Sequence, residues 1–153
     1  MPKCIMLVGV PGSGKSTWIE DNYCNNEEVI STDNVIDCVS FLYGMTYDEA
    51  FPELIKFAEK AMWKQLETAL ALKQDVIIDR TNLTATSRRK FFRFLEGYTF
   101  EAIVFPTPDK HEWERRLNSR PGKTIPKRVL DSMVSNMETP TETEGFRKIT
   151  YVL

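Results

Sequence analysis

Residues 9–17 read Gly9-Val10-Pro11-Gly12-Ser13-Gly14-Lys15-Ser16-Thr17, a match to G-x-x-x-x-G-K-[ST] directly behind the apolar run Cys4-Ile5-Met6-Leu7-Val8. The run predicts a buried parallel strand and Lys15 onward a helix, so the glycines fall in the turn between them. A turn of that kind lets successive N–H groups face a polyphosphate, with the positive end of the helix dipole behind them. On this reading Gly9, Pro11, Gly12, Ser13, Gly14, Lys15, Ser16 and Thr17 bind a nucleoside triphosphate. Lys15 reaches its β and γ phosphates, and the Ser16 hydroxyl helps hold Mg²⁺.

The rest of the chain alternates short β-branched runs with helical patterns. Val29-Ile30-Ser31 predicts a second strand that ends in Thr32-Asp33-Asn34. Asp33 then lies at the carboxyl end of a strand, where open parallel sheets put their ligands, although any of these three residues would also suit a helix cap. Thr46-Tyr47-Asp48-Glu49 has the form of a capping box. It opens a long amphipathic helix to about Lys73, with Leu54, Phe57, Ala58, Ala61, Met62, Leu66 and Ala69 as its core stripe and Pro52 expected to kink or divide it. Val76-Ile77-Ile78-Asp79 predicts a strand with an acid at its tip, the Walker-B-like position from which Asp79 can hold Mg²⁺ or its water shell. Thr84 caps a helix from about Ala85 to Glu96, and Phe100 to Phe105 is a further strand. Thr107-Pro108 opens a helix to about Asn118, Pro126 one over Val129 to Met137, and Ile149 to Val152 is a last strand. The polar segment Cys24 to Glu28 is a connection.

This order predicts one α/β domain over residues 1–153, a parallel sheet of about five strands with helices on both faces. A chain of 153 residues is long enough for one full core. Three scattered cysteines support neither a disulfide framework nor a zinc site, and the single histidine, His111, sits among Lys110, Glu112 and Glu114 as on a solvated helix face, which argues against a Ser-His-Asp hydrolase. No apolar run approaches a membrane span, and Met1-Pro2-Lys3 leads into the first strand without a signal-peptide layout, so a cytoplasmic protein is expected.

Net charge is −2, but residues 80–128 hold twelve Lys and Arg against five acids. That half suits either a polyanion or a set of solvated helix faces. Arg88, Arg89 and Arg93 share one predicted helix behind Thr81-Asn82, where they would border an acceptor mouth. Arg116, Arg120 and Lys123 would serve the triphosphate as a basic lid.

The motifs at 9–18, Ser31-Thr32-Asp33, Val76-Ile77-Ile78-Asp79-Arg80-Thr81-Asn82-Leu83 and Asn118 to Pro126 together resemble the phage-type polynucleotide 5′-hydroxyl kinases and the small P-loop kinases around them. The resemblance implies an adenylate-kinase-like fold that moves the γ-phosphate of ATP to a hydroxyl. By position it makes Asp33 the general base, Arg120 a lid arginine on the phosphates and Arg116 a further basic residue of the lid helix. With Thr81 and Asn82 at their strand end and Arg88 and Arg89 on the helix behind them, Asp33 completes the expected acceptor side. There is one departure: the nucleic-acid kinases carry an arginine three residues after the base, and this chain has Ile36. The resemblance makes the 5′-hydroxyl end of DNA or RNA the expected acceptor, and the departure at Ile36 points to the alternative, a nucleoside, modified base, sugar or RNA-linked amino acid. A nucleotide-binding module without catalysis is the reading from a different class. A GTPase switch lacks its N-K-x-D and D-x-x-G sequences. The oligomeric state stays open.

Overall fold

The computed structural model describes residues 1–24 and 26–153; in the connection Cys24 to Glu28, Asn25 lies outside the described residues. The elements follow as β1 (Lys3–Val8), α1 (Lys15–Asn22), β2 (Glu28–Ile30), α2 (Thr32–Tyr43), α3 (Tyr47–Ala71), β3 (Val76–Ile78), α4 (Ala85–Phe94), β4 (Thr99–Val104), α5 (Lys110–Asn118), α6 (Lys127–Asn136) and β5 (Phe146–Tyr151), with a 3₁₀ turn at Glu142–Glu144. All strand pairs are parallel, in the order β2-β3-β1-β4-β5. The motif loop thus leaves the central strand, between neighbours that the chain enters on opposite sides, which is where doubly wound sheets open their ligand crevice.

The two-residue period of β1 divides the core. Cys4, Met6 and Val8 join Met62, Leu66, Phe91 and Leu95 on one face, and Leu7 joins Ile77, Ile103 and Phe105 on the other, with Trp18 and Ile19 of α1 packed over them. A third apolar cluster of Ile36, Ala50 and Ala58 joins α2 to α3. Burial raises the Cys4 thiol far above its ordinary range, so it behaves as a small apolar residue.

Several boundaries differ from expectation for identifiable reasons. Pro52 does not divide α3, which runs unbroken for 25 residues from an intact Thr46–Glu49 capping box. The proline sits in the second turn, where it removes one backbone donor and leaves the apolar stripe to hold the remainder. Phe57 is 56% exposed and drops out of that stripe, whereas Ala58, Met62, Leu66 and Ala69 are buried as expected. The helix predicted from Thr107-Pro108 starts later, because the Asp109 carboxylate accepts from the Glu112 N–H and takes the cap.

The largest correction concerns Arg88, expected at an acceptor mouth. Its side chain is fully buried and paired with Glu144 at 2.8 Å, and its guanidinium also donates to the carbonyls of Asn82 (2.8 Å) and Glu138 (3.0 Å). Burial pushes the Glu144 carboxyl up, but Arg88 and the Thr141 N–H together bring it below its ordinary value. Arg88 therefore pins the chain's return into β5 from within. Removing a buried partner strands the other charge, so Arg88→Met should cost about 3–5 kcal/mol in urea unfolding while the exposed Arg89→Ala stays within about 0.5 kcal/mol.

Candidate phosphate-binding cleft

At the carboxyl end of the sheet lies a cleft of about 750 Å³, lined among others by residues 11–18, Asp33, Asp37, Asp79, Thr81, Arg116, Arg120 and Lys123. Two hydrogen bonds tie its floor together: the Gly9 N–H donates to the Thr81 carbonyl (3.0 Å) and the Asn82 side-chain amide to the Leu7 carbonyl (2.8 Å). Asn82 adopts φ 47°, a conformation asparagine tolerates better than most residues, and is buried with its amide shared among Leu7, Ile78 and Arg80 carbonyls. It holds β1 and β3 at their tips and is not free to meet an acceptor, contrary to expectation. Thr81 does face the cleft, whereas Arg89 is exposed on α4 outside its lining.

The motif loop ends at Gly14, whose φ of 106° only glycine adopts at low cost, and α1 begins there with no side-chain cap and no acid in its first turn. The first N–H groups of that helix are consequently left to a ligand. Ser13 carries, among the described residues, a buried hydroxyl oxygen without a hydrogen-bond partner. Uncapped donors, a positive helix end and an unused hydroxyl form a cradle for polyphosphate oxygens.

Lys15 folds back so that its Nζ donates to the carbonyls of Gly9 (2.8 Å) and Val10 (2.9 Å). Burial lowers its ammonium to about 8; Asp79 and Asp33 oppose that shift and Arg120 adds to it. Burial likewise raises the Asp79 carboxyl, with Lys15 opposing and Asp33 adding to the shift. Lys15, Asp79, Asp33 and Arg120 thus feel one another across the cleft. Among the described residues no group of three or more His, Cys, Asp or Glu forms a self-sufficient metal site. Ser16 and Asp79 suit a Mg²⁺ ion that takes its other ligands from water and phosphate, the usual arrangement for this hard, strongly hydrated cation.

Asp33 lies in the first turn of α2, but the cap of that helix is Ser31, whose hydroxyl accepts from the Asn34 N–H. The Asp33 carboxylate is therefore released from capping and lines the cleft. Its Oδ1 accepts instead from the Tyr47 hydroxyl at 2.5 Å, a partner that sequence reasoning missed. The only signal for it was the capping box, which puts Tyr47 at the first position of α3. On the opposite wall α5 grips the loop: the Trp113 indole N–H donates to the Pro11 carbonyl (2.7 Å) and Arg116 to the Gly12 carbonyl (3.1 Å). Ile36, at the position where an arginine was missing, is fully buried between α2 and α3. Six of the twelve basic side chains of residues 80–128 are ion-paired within the protein, Arg80, Arg88, Arg115, Arg116, Lys123 and Lys127, which reduces the charge that half presents. No described helix is long and apolar enough to cross a membrane.

Comparison with known proteins agrees with this geometry. The heterogeneous nuclear ribonucleoprotein U-like protein 2 of Mus musculus is 25% identical over 96% of this chain, which corresponds to 21% of that protein. The bifunctional polynucleotide phosphatase/kinase of Schizosaccharomyces pombe is 25% identical over 95% of the chain and 32% of its own length. The chain thus spans between a fifth and a third of these relatives. Among solved structures, one from the PezAT toxin-antitoxin system of Streptococcus pneumoniae matches 99% of the chain and 66% of its own at TM-score 0.72 and 19% identity. The Pnkp1/Rnl/Hen1 complex matches 74% of the chain and 38% of its own at TM-score 0.58 and 26% identity. A gluconokinase from Sinorhizobium meliloti 1021 matches 99% and 82% at TM-score 0.54 and 19% identity. The sequence model of the AAA domain family matches residues 4–140, and with a P-loop kinase fold around that segment the chain belongs to this family.

Proposed function

We propose that this chain is an ATP-dependent phosphotransferase that moves the γ-phosphoryl group to a hydroxyl, most directly the 5′-hydroxyl end of DNA or RNA. The observation that carries the reading is the convergence of Lys15, Asp33, Asp79 and Arg120 on a single cleft around an uncapped helix start. Such a set matches what phosphoryl transfer needs, namely positioning and neutralisation of charge.

In this mechanism the loop N–H groups and Lys15 hold the β and γ phosphates, while Arg116 and Arg120 approach from the lid side. Ser16 and Asp79 would hold Mg²⁺, which would supply further neutralisation of the phosphate oxygens. Asp33 accepts the proton of the acceptor hydroxyl as that oxygen forms its bond to the γ-phosphorus. The bond from the γ-phosphorus to the β–γ bridging oxygen breaks, and ADP leaves with the electron pair. Lys15 donates no proton; its positive charge stays in place throughout.

A nucleic-acid end as acceptor is supported by the polynucleotide phosphatase/kinase relative and by the four-motif resemblance. Buried Ile36 and the internal pairing of half the basic side chains of residues 80–128 favour a second reading, a small hydroxyl acceptor. Labelled ATP offered with a panel of oligonucleotides, nucleosides and sugars separates the two. Transfer to oligonucleotide ends, with a binding slope of about −0.7 per neutralised phosphate against salt, supports the first reading, and transfer to a small molecule alone replaces it with the second. ATP hydrolysis without any transfer, or no turnover, contradicts both. A general base contributes roughly 10²–10⁴-fold, so Asp33→Asn should lower kcat by that factor with ATP affinity retained. An Asp33→Asn protein with unchanged kcat removes Asp33 from the chemistry.

A further inference from the structure

Resting on that reading of Asp33, we infer that Tyr47 is a positioning residue through which closure of the lid loop and orientation of the base become one event. Tyr47 does not line the cleft. It stands half-buried behind it at the start of α3, with its hydroxyl on Asp33 Oδ1 at 2.5 Å. That bond fixes the carboxylate rotamer through one oxygen and leaves Oδ2 for the acceptor proton.

The ring of the same tyrosine is the seat of the lid. Lys123 places its Nζ 4.6 Å from the ring centroid and at the same time pairs with Asp37 Oδ2 at 2.9 Å, one helical turn beyond Asp33. Around this point the loop 119–126 is fastened to the α2–α3 corner by its backbone. The Asp48 N–H donates to the Gly122 carbonyl (2.9 Å), and the Thr124 N–H donates to both carboxylate oxygens of Asp48 (3.1 and 2.9 Å). Gly122, at φ 71°, approaches so closely that a Cβ there would sit 2.8 Å from the Thr46 side chain. Loop and corner are therefore matched surfaces, and Tyr47 is the side chain common to the lid contact and the base contact. Arg120 is carried by the same loop and lines the same cleft. When the loop is seated, Lys123 completes the cation–π and ion-pair contacts that hold Tyr47 and Asp37 in place, and the base is aligned as Arg120 arrives.

A double-mutant cycle tests this. Wild type, Tyr47→Phe, Asp33→Asn and the double variant are compared for kcat and for KM toward ATP and the acceptor, with thermal melting as the folding control. A hydrogen bond to a charged group is worth enough that Tyr47→Phe should lower kcat roughly 10- to 100-fold, with both KM values unchanged and a melting temperature lowered by no more than about 10 °C, so that the variant stays folded at the assay temperature. In the Asp33→Asn background the same substitution should cost nothing further, since its effect passes through that carboxylate. A loss that multiplies with that of Asp33→Asn, a loss confined to KM, or no loss overturns the inference while leaving the base in place. Asp33→Asn as fast as wild type instead overturns the reading of Asp33 itself and Tyr47's role with it. Tyr47→Leu, which also removes the seat of Lys123, should lose more than Tyr47→Phe; equal losses overturn the role of the ring.

Discussion

A lysine ammonium drawn out of water has to be surrounded by oxygen, and the loop between β1 and α1 is shaped around that requirement. Lys15 is so deeply placed that burial outweighs two neighbouring carboxylates and lowers its proton affinity. Carbonyls of Gly9 and Val10 take two of its three donors. The loop that carries those carbonyls is held at the tip of β1 by Asn82 and Thr81 from the segment after β3, and from the other side by Trp113 and Arg116 of α5. Strand tips, lid helix and loop form one support for a single cation.

Much of this was legible in the residues. The motif and its preceding strand located the loop, the β-branched run with a terminal acid located Asp79, and the strand and helix alternation implied the parallel sheet, because each of these signals is local. The acceptor side read less well, since its arrangement depends on contacts between distant segments. Arg88 looks like any surface arginine on an amphipathic helix until Glu144, 56 residues later, closes over it. Asn82 sits in a stretch matching the kinase motif, yet the conformation of its backbone turns its amide inward, away from any acceptor. Asp33 shows the reverse: its neighbour Ser31 takes the cap, a choice that spacing alone left open.

In α2, Ile36 stands where the nucleic-acid kinases this chain resembles carry an arginine. With Ile36 locked in the apolar seam, α2 presents carboxylates to the cleft at Asp33 and Asp37, and the nearest cation on that wall, Lys123, comes from the lid loop. Under the proposed closure of loop 119–126, a cation carried by that loop would reach this wall only when the loop is seated, which would tie charge on the proposed acceptor side to conformation as a fixed arginine on α2 would not.

If Lys15 is the charge prepared for a triphosphate, proton uptake on binding measures it directly. With its ammonium lowered to about 8 in the free protein, Lys15 is partly neutral at pH 8, and anionic phosphate favours the charged form. Calorimetric titration with ATP at pH 8, in buffers of different ionisation enthalpy, should therefore show net uptake approaching about half a proton, falling toward zero near pH 6 and absent in Lys15→Met. ATP binding to wild type at pH 8 without uptake, or with uptake that persists in Lys15→Met, would contradict it.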